Sequence, residues 1–405
     1  MNTPSLRTDL DVIPTQYKGE RVFVVRDSLG LITQPVVLRR DDIQFLQLFD
    51  GTKTVQDIQL FFMRQQGGLL VSSDSIQKRL DQYDSLFLLD SDLYREAKNK
   101  IFETFSQQDV RPASLAGHAY PQTEDRLKAT LDSFFKVEGQ RDLNVEDDFR
   151  SLKALIAPHI DLEIGKKIYT AAYRALRGLS PKRIFIFGTG HSLQNSFISL
   201  TEKDYETPLG VVKTDKDIVR KLKSASIPVS APDDFSHRKE HSIEFQVLFL
   251  QYLFGETFEI VPILFGSFFD VLAAYSRPVQ IPDMNVFLEE LRTILSVFSS
   301  EALCVAGVDF SHIGPKFGHA ESSGALIQEA RSFDKKLIET ICSGDVQGFW
   351  KETQRVKGYF NVCGFSAISC LLEVLPQVKG RLLGYDFWEE EPTQSAVSFA
   401  AIALA

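Results

Sequence analysis

Three apolar stretches of the chain stop at residues that can hold a metal or move a proton. Ala154-Leu155-Ile156-Ala157-Pro158 runs into His159, and Arg183-Ile184-Phe185-Ile186-Phe187-Gly188-Thr189-Gly190 runs into His191. Ala302-Leu303-Cys304-Val305-Ala306-Gly307-Val308 runs into Asp309-Phe310-Ser311-His312. Imidazole and carboxylate groups serve divalent-metal sites and general acid–base catalysis. A single histidine at such a place is more often a satisfied core residue; three on converging strand ends shift the balance toward a shared site. Two further groups join them. His241 and Glu244 stand three apart where a helix opens, the spacing of a carboxylate–imidazole ligand pair and equally of a capping interaction. Cys363, in Asn361-Val362-Cys363-Gly364-Phe365, precedes a helix, and a helix N-terminus stabilises a thiolate. Cys304, Cys342 and Cys370 read as packing residues.

The elements that must position these groups alternate from about residue 126 onward. Helices are expected at 126–137, 163–178, 215–225, 241–255, 285–298, 323–343, 345–355 and 366–375. Strands are expected around 151–158, 183–188, 258–266, 302–310, 381–388 and 395–405. This alternation predicts an α/β fold, a largely parallel sheet sandwiched by helices over residues 126–405. All 7 histidines and all 4 cysteines follow residue 117, so metal-capable chemistry separates the two parts of the chain. Residues 111–125, with Pro112 and Pro121, read as a linker. Residues 1–110 read as a small winged-helix α+β domain. Its two strands lie within 20–40 with a turn at Ser28-Leu29-Gly30, and three short helices follow. Thr54 caps the second of these, with Asp57 at its third position.

Composition sets the outer limits. The 405 residues are 44% hydrophobic and 24% charged, a globular balance. With 45 Lys+Arg against 54 Asp+Glu, the net charge is −9, which disfavours nucleic acid or an anionic membrane as the main partner. The longest apolar runs fall well short of a bilayer span. The opening MNTPSLRTDLDVIP lacks an apolar signal core, and the cysteines form no CxxC pair, so a cytoplasmic location is expected.

The ordered motifs of residues 116–405 resemble the MEMO family, including its bacterial AmmeMemoRadiSam system protein B members. They are Ala157-Pro158-His159-Ile160-Asp161, Gly188-Thr189-Gly190-His191-Ser192, Lys203-Asp204-Tyr205-Glu206-Thr207-Pro208-Leu209-Gly210, Glu240-His241-Ser242-Ile243-Glu244-Phe245-Gln246, Asp309-Phe310-Ser311-His312, Cys363-Gly364 and Ala396-Val397-Ser398-Phe399. The resemblance implies the fold of class III extradiol dioxygenases, which are non-haem iron enzymes. It implies a metal held by His159, His191 and Cys363, with Asp309 and His312 beside it as catalytic groups. His241 and Glu244 would line or brace the same cleft. Fe(II) is the favoured metal, with Cu or Zn as alternatives. His312 is the candidate acid/base and Asp309 orients it or a water. The sequence Ile160-Asp161-Leu162 departs from eukaryotic members, so their peptide binding is not carried over. The implied partners are a radical SAM protein and other AmmeMemoRadiSam system proteins. A non-catalytic metal- or peptide-binding component is the alternative to an enzyme. Metal-assisted hydrolysis has least support, because no spacing dictates a general-base glutamate.

A second resemblance covers about residues 15–92. Leu48-Phe49-Asp50-Gly51, Thr54-Val55-Gln56-Asp57-Ile58 and Leu86-Phe87-Leu88-Leu89 are similar to PqqD-like domains, the RiPP recognition elements. It implies that a strand of this domain accepts an extended peptide by strand addition. A winged helix that only docks on its neighbour is the competing expectation.

Overall fold

The computed structural model describes residues 2–65, 71–136, 151–226, 229–375 and 377–405. The chain forms two compact units, 1–107 and 108–405. The first unit has a three-stranded antiparallel sheet in the order β1 (Leu10–Tyr17), β2 (Glu20–Asp27) and β3 (Val36–Leu38). Helices α1 (Arg40–Leu46), α2 (Val55–Gln65), α3 (Ser73–Ser85) and α4 (Asp92–Ser106) follow. Phe45, Phe49, Ile58, Ile76, Tyr83, Leu88 and Leu89 form its core. The Thr54 main-chain N–H donates to Asp57 and the Asp57 N–H donates back to the Thr54 hydroxyl, a reciprocal cap.

Two elements of this unit lie beyond the sequence-based expectation. Strand β1 alternates poorly because most of its residues are exposed at the sheet edge. Helix α4 buries only Tyr94 and Phe105 among its residues, so its apolar stripe is thin.

The second unit begins with β4 (Val110–Arg111), α5 (Glu124–Phe135), β5 (Ala154–Ala157), α6 (Leu162–Arg174) and β6 (Arg183–Thr189). Then come β7 (Ile198–Leu200), β8 (Asp204–Thr207), β9 (Gly210–Thr214), α7 (Lys216–Ser226), α8 (His241–Phe254) and β10 (Glu259–Phe265). The remainder is α9 (Met284–Val297), β11 (Ala302–Gly307), β12 (His312–Ile313), α10 (Ser323–Ser343), α11 (Val346–Arg355), α12 (Phe365–Val374), β13 (Gly380–Glu390) and β14 (Ser395–Leu404). The sheet runs β12-β14-β5-β11-β6-β10-β9-β8-β4, with β13 beside β14 and β7 beside β10. Its centre, β5-β11-β6-β10-β9, is parallel. The flanks are antiparallel where β14 meets β5, β12 and β13, and where β8 meets β9. The large, mostly parallel sheet flanked by helices is the α/β architecture expected for this unit.

Residues 111–125 do not form an exposed linker. Strand β4 pairs with β8, Arg111 is fully buried, and Tyr120 packs in the core of the large unit. Prolines at 112 and 121 suggested a loop, but Ser114 and Tyr120 between them bond to the buried Glu244.

The register fixes where the chemistry emerges. Gly307 of β11 pairs with Ala157 of β5 on one side and Gly188 of β6 on the other. The residues just beyond all three strands therefore leave the sheet at one level. Helix α8, buried along Ser242–Gln251, presses its first turn onto these ends. The glycines permit that approach: a Cβ on Gly307 would lie 2.1 Å from the Ser242 carbonyl oxygen, and one on Gly188 2.7 Å from Ile243. Fully buried Leu155, Ile156, Phe185, Phe187, Val305 and Ala306 hold the strands in place. Burial of each large side chain contributes about 1.5–3 kcal/mol to holding this frame. Among the described residues no helix is long and apolar enough to cross a membrane.

Candidate metal centre

His159 follows β5, His191 follows β6, and Cys363 stands just before Gly364, the cap of α12. One ligand atom from each of the three lies within 4.8 Å of the others. Cys363 Sγ is 3.3 Å from His159 Nε2. Such spacings fit an ion about 2.0–2.4 Å from each donor.

The ring orientations make this set suitable for a metal. His159 Nδ1 is 2.9 Å from the Gly307 carbonyl oxygen, which can only accept, so Nδ1 carries the proton and Nε2 is bare. His191 Nδ1 lies 3.0 Å from Glu240 Oε1, which places its Nε2 toward the shared point as well. Two imidazoles anchored through Nδ1, with Nε2 turned toward a sulfur, are the arrangement of a ligand set with its outer partners in place. The donor set therefore fits a divalent iron, copper or zinc ion.

A third imidazole completes a face. The His241 ring centroid is 4.9 Å from that of His159 and 4.7 Å from that of His191, on which it stacks. His159 is only 3% exposed, whereas the His191 side chain is 39% and the His241 side chain 35% exposed, so the cleft opens on their side. His191, Glu240 and His241 also bring donor atoms within 4.8 Å of one another. Both oxygens of Glu240 already accept from N–H groups, however, which makes it a partner of the rings rather than a ligand.

Asp309 borders the same place, and the His191 charge reaches His312. Asp309 Oδ1 accepts from the His159 main-chain N–H at 3.0 Å, and Oδ2 is 3.7 Å from His159 Nε2. Burial pushes its pKa up to about 7, against backbone donors and the His191 charge. His312 Nδ1 donates to the Phe310 carbonyl at 3.0 Å, and its ring meets Phe317 edge-on. Burial lowers the His312 pKa to about 4, and the His191 and Lys316 charges add to the effect. At neutral pH it is thus an uncharged ring.

The remaining electrostatics follow from burial and from Glu240. Burial depresses His159 well below the usual imidazole range, and the neighbouring His241 and His191 add to this. Burial opposes a charge on His191 too, but Glu240 outweighs it and holds that pKa well above normal. Cys363 differs from the simple helix-terminus expectation. Burial raises its thiol pKa, and His191 only partly counters that. A thiolate here is favoured by a bound cation rather than by the helix alone.

Glu244 turns away from the histidines. Its carboxylate accepts from Arg111, from the Ser114 hydroxyl and the Leu115 main-chain N–H, and from the Tyr120 hydroxyl, all in the interior. Arg111 also donates to the carbonyls of His237 and Glu240 at 2.7 and 2.9 Å. The pair Arg111–Glu244, wholly buried, bolts residues 111–120 to the first turn of α8. Sequence reasoning did not single out Glu240 or Arg111. Glu240 is visible only as the residue before a helix start, and Arg111 carries no motif.

Comparison with known proteins accords with this geometry. Residues 111–403 match the family described as Memo-like protein. A MEMO1 family protein of Aquifex aeolicus is 27% identical over 387 residues, covering 94% of this chain and 96% of its own. MEMO1 family protein PYRAB05390 of Pyrococcus abyssi is 28% identical over 310 residues, 73% of this chain and 99% of its own. MEMO1 family protein PH1626 of Pyrococcus horikoshii is 30% identical over 266 residues, 63% and 83% of the two chains. The buried frame, the strand ends and the matched span coincide, and the chain belongs to the Memo-like protein family.

Proposed function

We propose that the large unit is a metal-dependent oxidoreductase of non-haem iron type, with His159, His191 and Cys363 as the protein ligands. The observation that carries this reading is the convergence of the three donors within 4.8 Å, with both imidazoles anchored through Nδ1. Ferrous iron with open positions would supply the capacity to bring an organic substrate and O₂ together. The chain's own groups do the rest. His312 accepts a proton at Nε2 from a substrate hydroxyl. Asp309, buried beside His159, is placed to orient a water or a substrate group there. His241 supplies a further imidazole edge at the open side of the cleft. Phe310 and Ile313, both fully buried, pin the segment that carries Ser311 and His312 to the core. The thiolate distinguishes this set from one completed by a carboxylate: it is softer and more donating, and also suits copper or zinc. The test is anaerobic loading with Fe(II), then O₂ uptake with catechols. Uptake that is lost in His312→Gln supports the reading. A fully loaded protein inert toward O₂ with every catechol speaks against it.

A second reading concerns the first unit. Residues 1–110 are proposed to be a PqqD-like winged-helix domain that binds an extended peptide and delivers it to a radical SAM enzyme of an AmmeMemoRadiSam system. It is supported by the three-stranded antiparallel sheet, in which β3 is a terminal strand with Val37 exposed. The large unit would then bind metal without turnover. Co-purification with a radical SAM protein that is lost on removal of residues 1–110 favours this reading; unchanged association contradicts it.

A further inference from the structure

We infer that Glu240 is a positioning residue for the metal centre, gripping His191 so that Nε2, and not Nδ1, is the nitrogen offered to an ion. The inference rests on the proposed metal-binding reading and adds the group that orients one of its ligands.

The grip is two-handed. Glu240 Oε2 accepts from the His191 main-chain N–H at 3.0 Å, and Oε1 takes the His191 ring Nδ1 at 3.0 Å. Backbone and ring of one residue are thus held by the two oxygens of one carboxylate, which leaves the ring little choice of orientation. The same Oε1 accepts from the Ser242 N–H at 3.0 Å and stands 3.3 Å from His241 Nδ1. The carboxylate is itself buried and the residue anchored. Its side chain is 2% exposed, and its main-chain carbonyl accepts from Arg111 at 2.9 Å.

A helix cap alone does not explain this arrangement. Capping accounts for the Ser242 bond, but not for two bonds to a residue 49 positions away on another strand end. His159 offers an internal comparison: the Gly307 carbonyl holds its Nδ1, so a backbone group does there what Glu240 does for His191. Ligating histidines generally donate their second ring N–H to such a partner, and its loss costs about 10–100-fold in metal affinity.

The test uses the full-length protein and two readouts. In the first, Co²⁺ is titrated and followed by thiolate-to-cobalt absorption. Glu240→Gln, which keeps the volume, is expected to weaken binding about 10–100-fold. In the second, ¹⁵N-histidine NMR of the wild type reads the His191 ring, assigned by its loss in His191→Gln. Nδ1 should carry a proton in the metal-free protein at every pH where it is folded, and added Zn²⁺ should remove only the proton of Nε2. A bare Nδ1 in the wild type overturns the inference even if the Gln variant fails to fold. Equal cobalt affinities for the wild type and a folded variant overturn it as well. A wild type that takes up no cobalt while keeping its Nδ1 proton contradicts the metal-binding reading and leaves the orienting role standing.

Discussion

Cys363 Sγ lies 3.3 Å from His159 Nε2 although 204 positions separate them in the chain. Strand β5 delivers the histidine and the start of α12 delivers the cysteine, and Asp309 ties the two together, its carbonyl accepting from the Gly364 N–H at 3.1 Å and its Oδ1 from the His159 N–H at 3.0 Å. Buried strands on either side of the site carry both residues to this place. Cys363→Ser should therefore keep the fold, with a stability change of about 1 kcal/mol, while metal affinity drops sharply. Thermal melting beside metal stoichiometry checks both halves. A variant that melts far below the wild type yet retains its metal would make Cys363 a packing residue.

The buried pair Arg111–Glu244 gives a second expectation. Glu244→Gln leaves the Arg111 cation inside the protein without its counter-charge, a change that costs about 3–5 kcal/mol. Denaturant unfolding of the large unit should show this loss. Replacing both partners with apolar residues of similar volume should restore much of it, since no orphan charge remains.

Much of the site was legible in the sequence because strand ends announce themselves. Apolar runs ending in His159, His191 and Asp309 require only that the strands be parallel and adjacent, and the register of β5, β11 and β6 supplies that. The Thr54–Asp57 cap was equally readable, since both partners lie within one turn. Partnerships between distant polar residues were not. Nothing local distinguishes Arg111 from a solvent-facing arginine; its burial depends on Glu244, 133 positions later. Glu244 was expected to line or brace the cleft; its carboxylate turns to Arg111, Ser114 and Tyr120, because one turn of rise lets it and His241 address different neighbours. The antiparallel flank was hidden for a related reason. Apolar β14 reads the same whichever way its neighbour runs, and only the pairing with β5 reveals its direction.

Close approach of α8 to the strand ends predicts the outcome of Gly307→Ala. The new methyl would meet the Ser242 carbonyl at 2.1 Å, a backbone atom that cannot rotate away. Either α8 or β11 must shift, at a cost of about 1–3 kcal/mol. Because Glu240 and His241 sit at that end of the helix, metal affinity should fall together with stability. Unfolding curves and cobalt titration of the same preparation measure the pair of effects.

Asp334 gives a pH expectation outside the metal site. It accepts from the hydroxyls of Ser311, Ser398 and Tyr385, and burial outweighs these donors to push its pKa up to about 6. The folded state therefore holds this proton more tightly than the unfolded chain. Its contribution is full below the unfolded value of 3.8 and is lost as pH rises through about 6. The difference in unfolding free energy between wild type and Asp334→Asn should change by on the order of 3 kcal/mol across that window, with the wild type losing ground as pH rises. A constant difference would show that Asp334 stays ionised throughout.

The central claim is that His159, His191 and Cys363 together hold a metal. Its most direct test is elemental analysis of full-length protein equilibrated anaerobically with Fe(II) and freed of excess ion, beside His159→Ala and His191→Ala. The account predicts about one iron per wild-type chain and almost none in either variant, with melting curves showing all three proteins folded. A wild type without bound metal, or folded variants that keep the full complement, would contradict it.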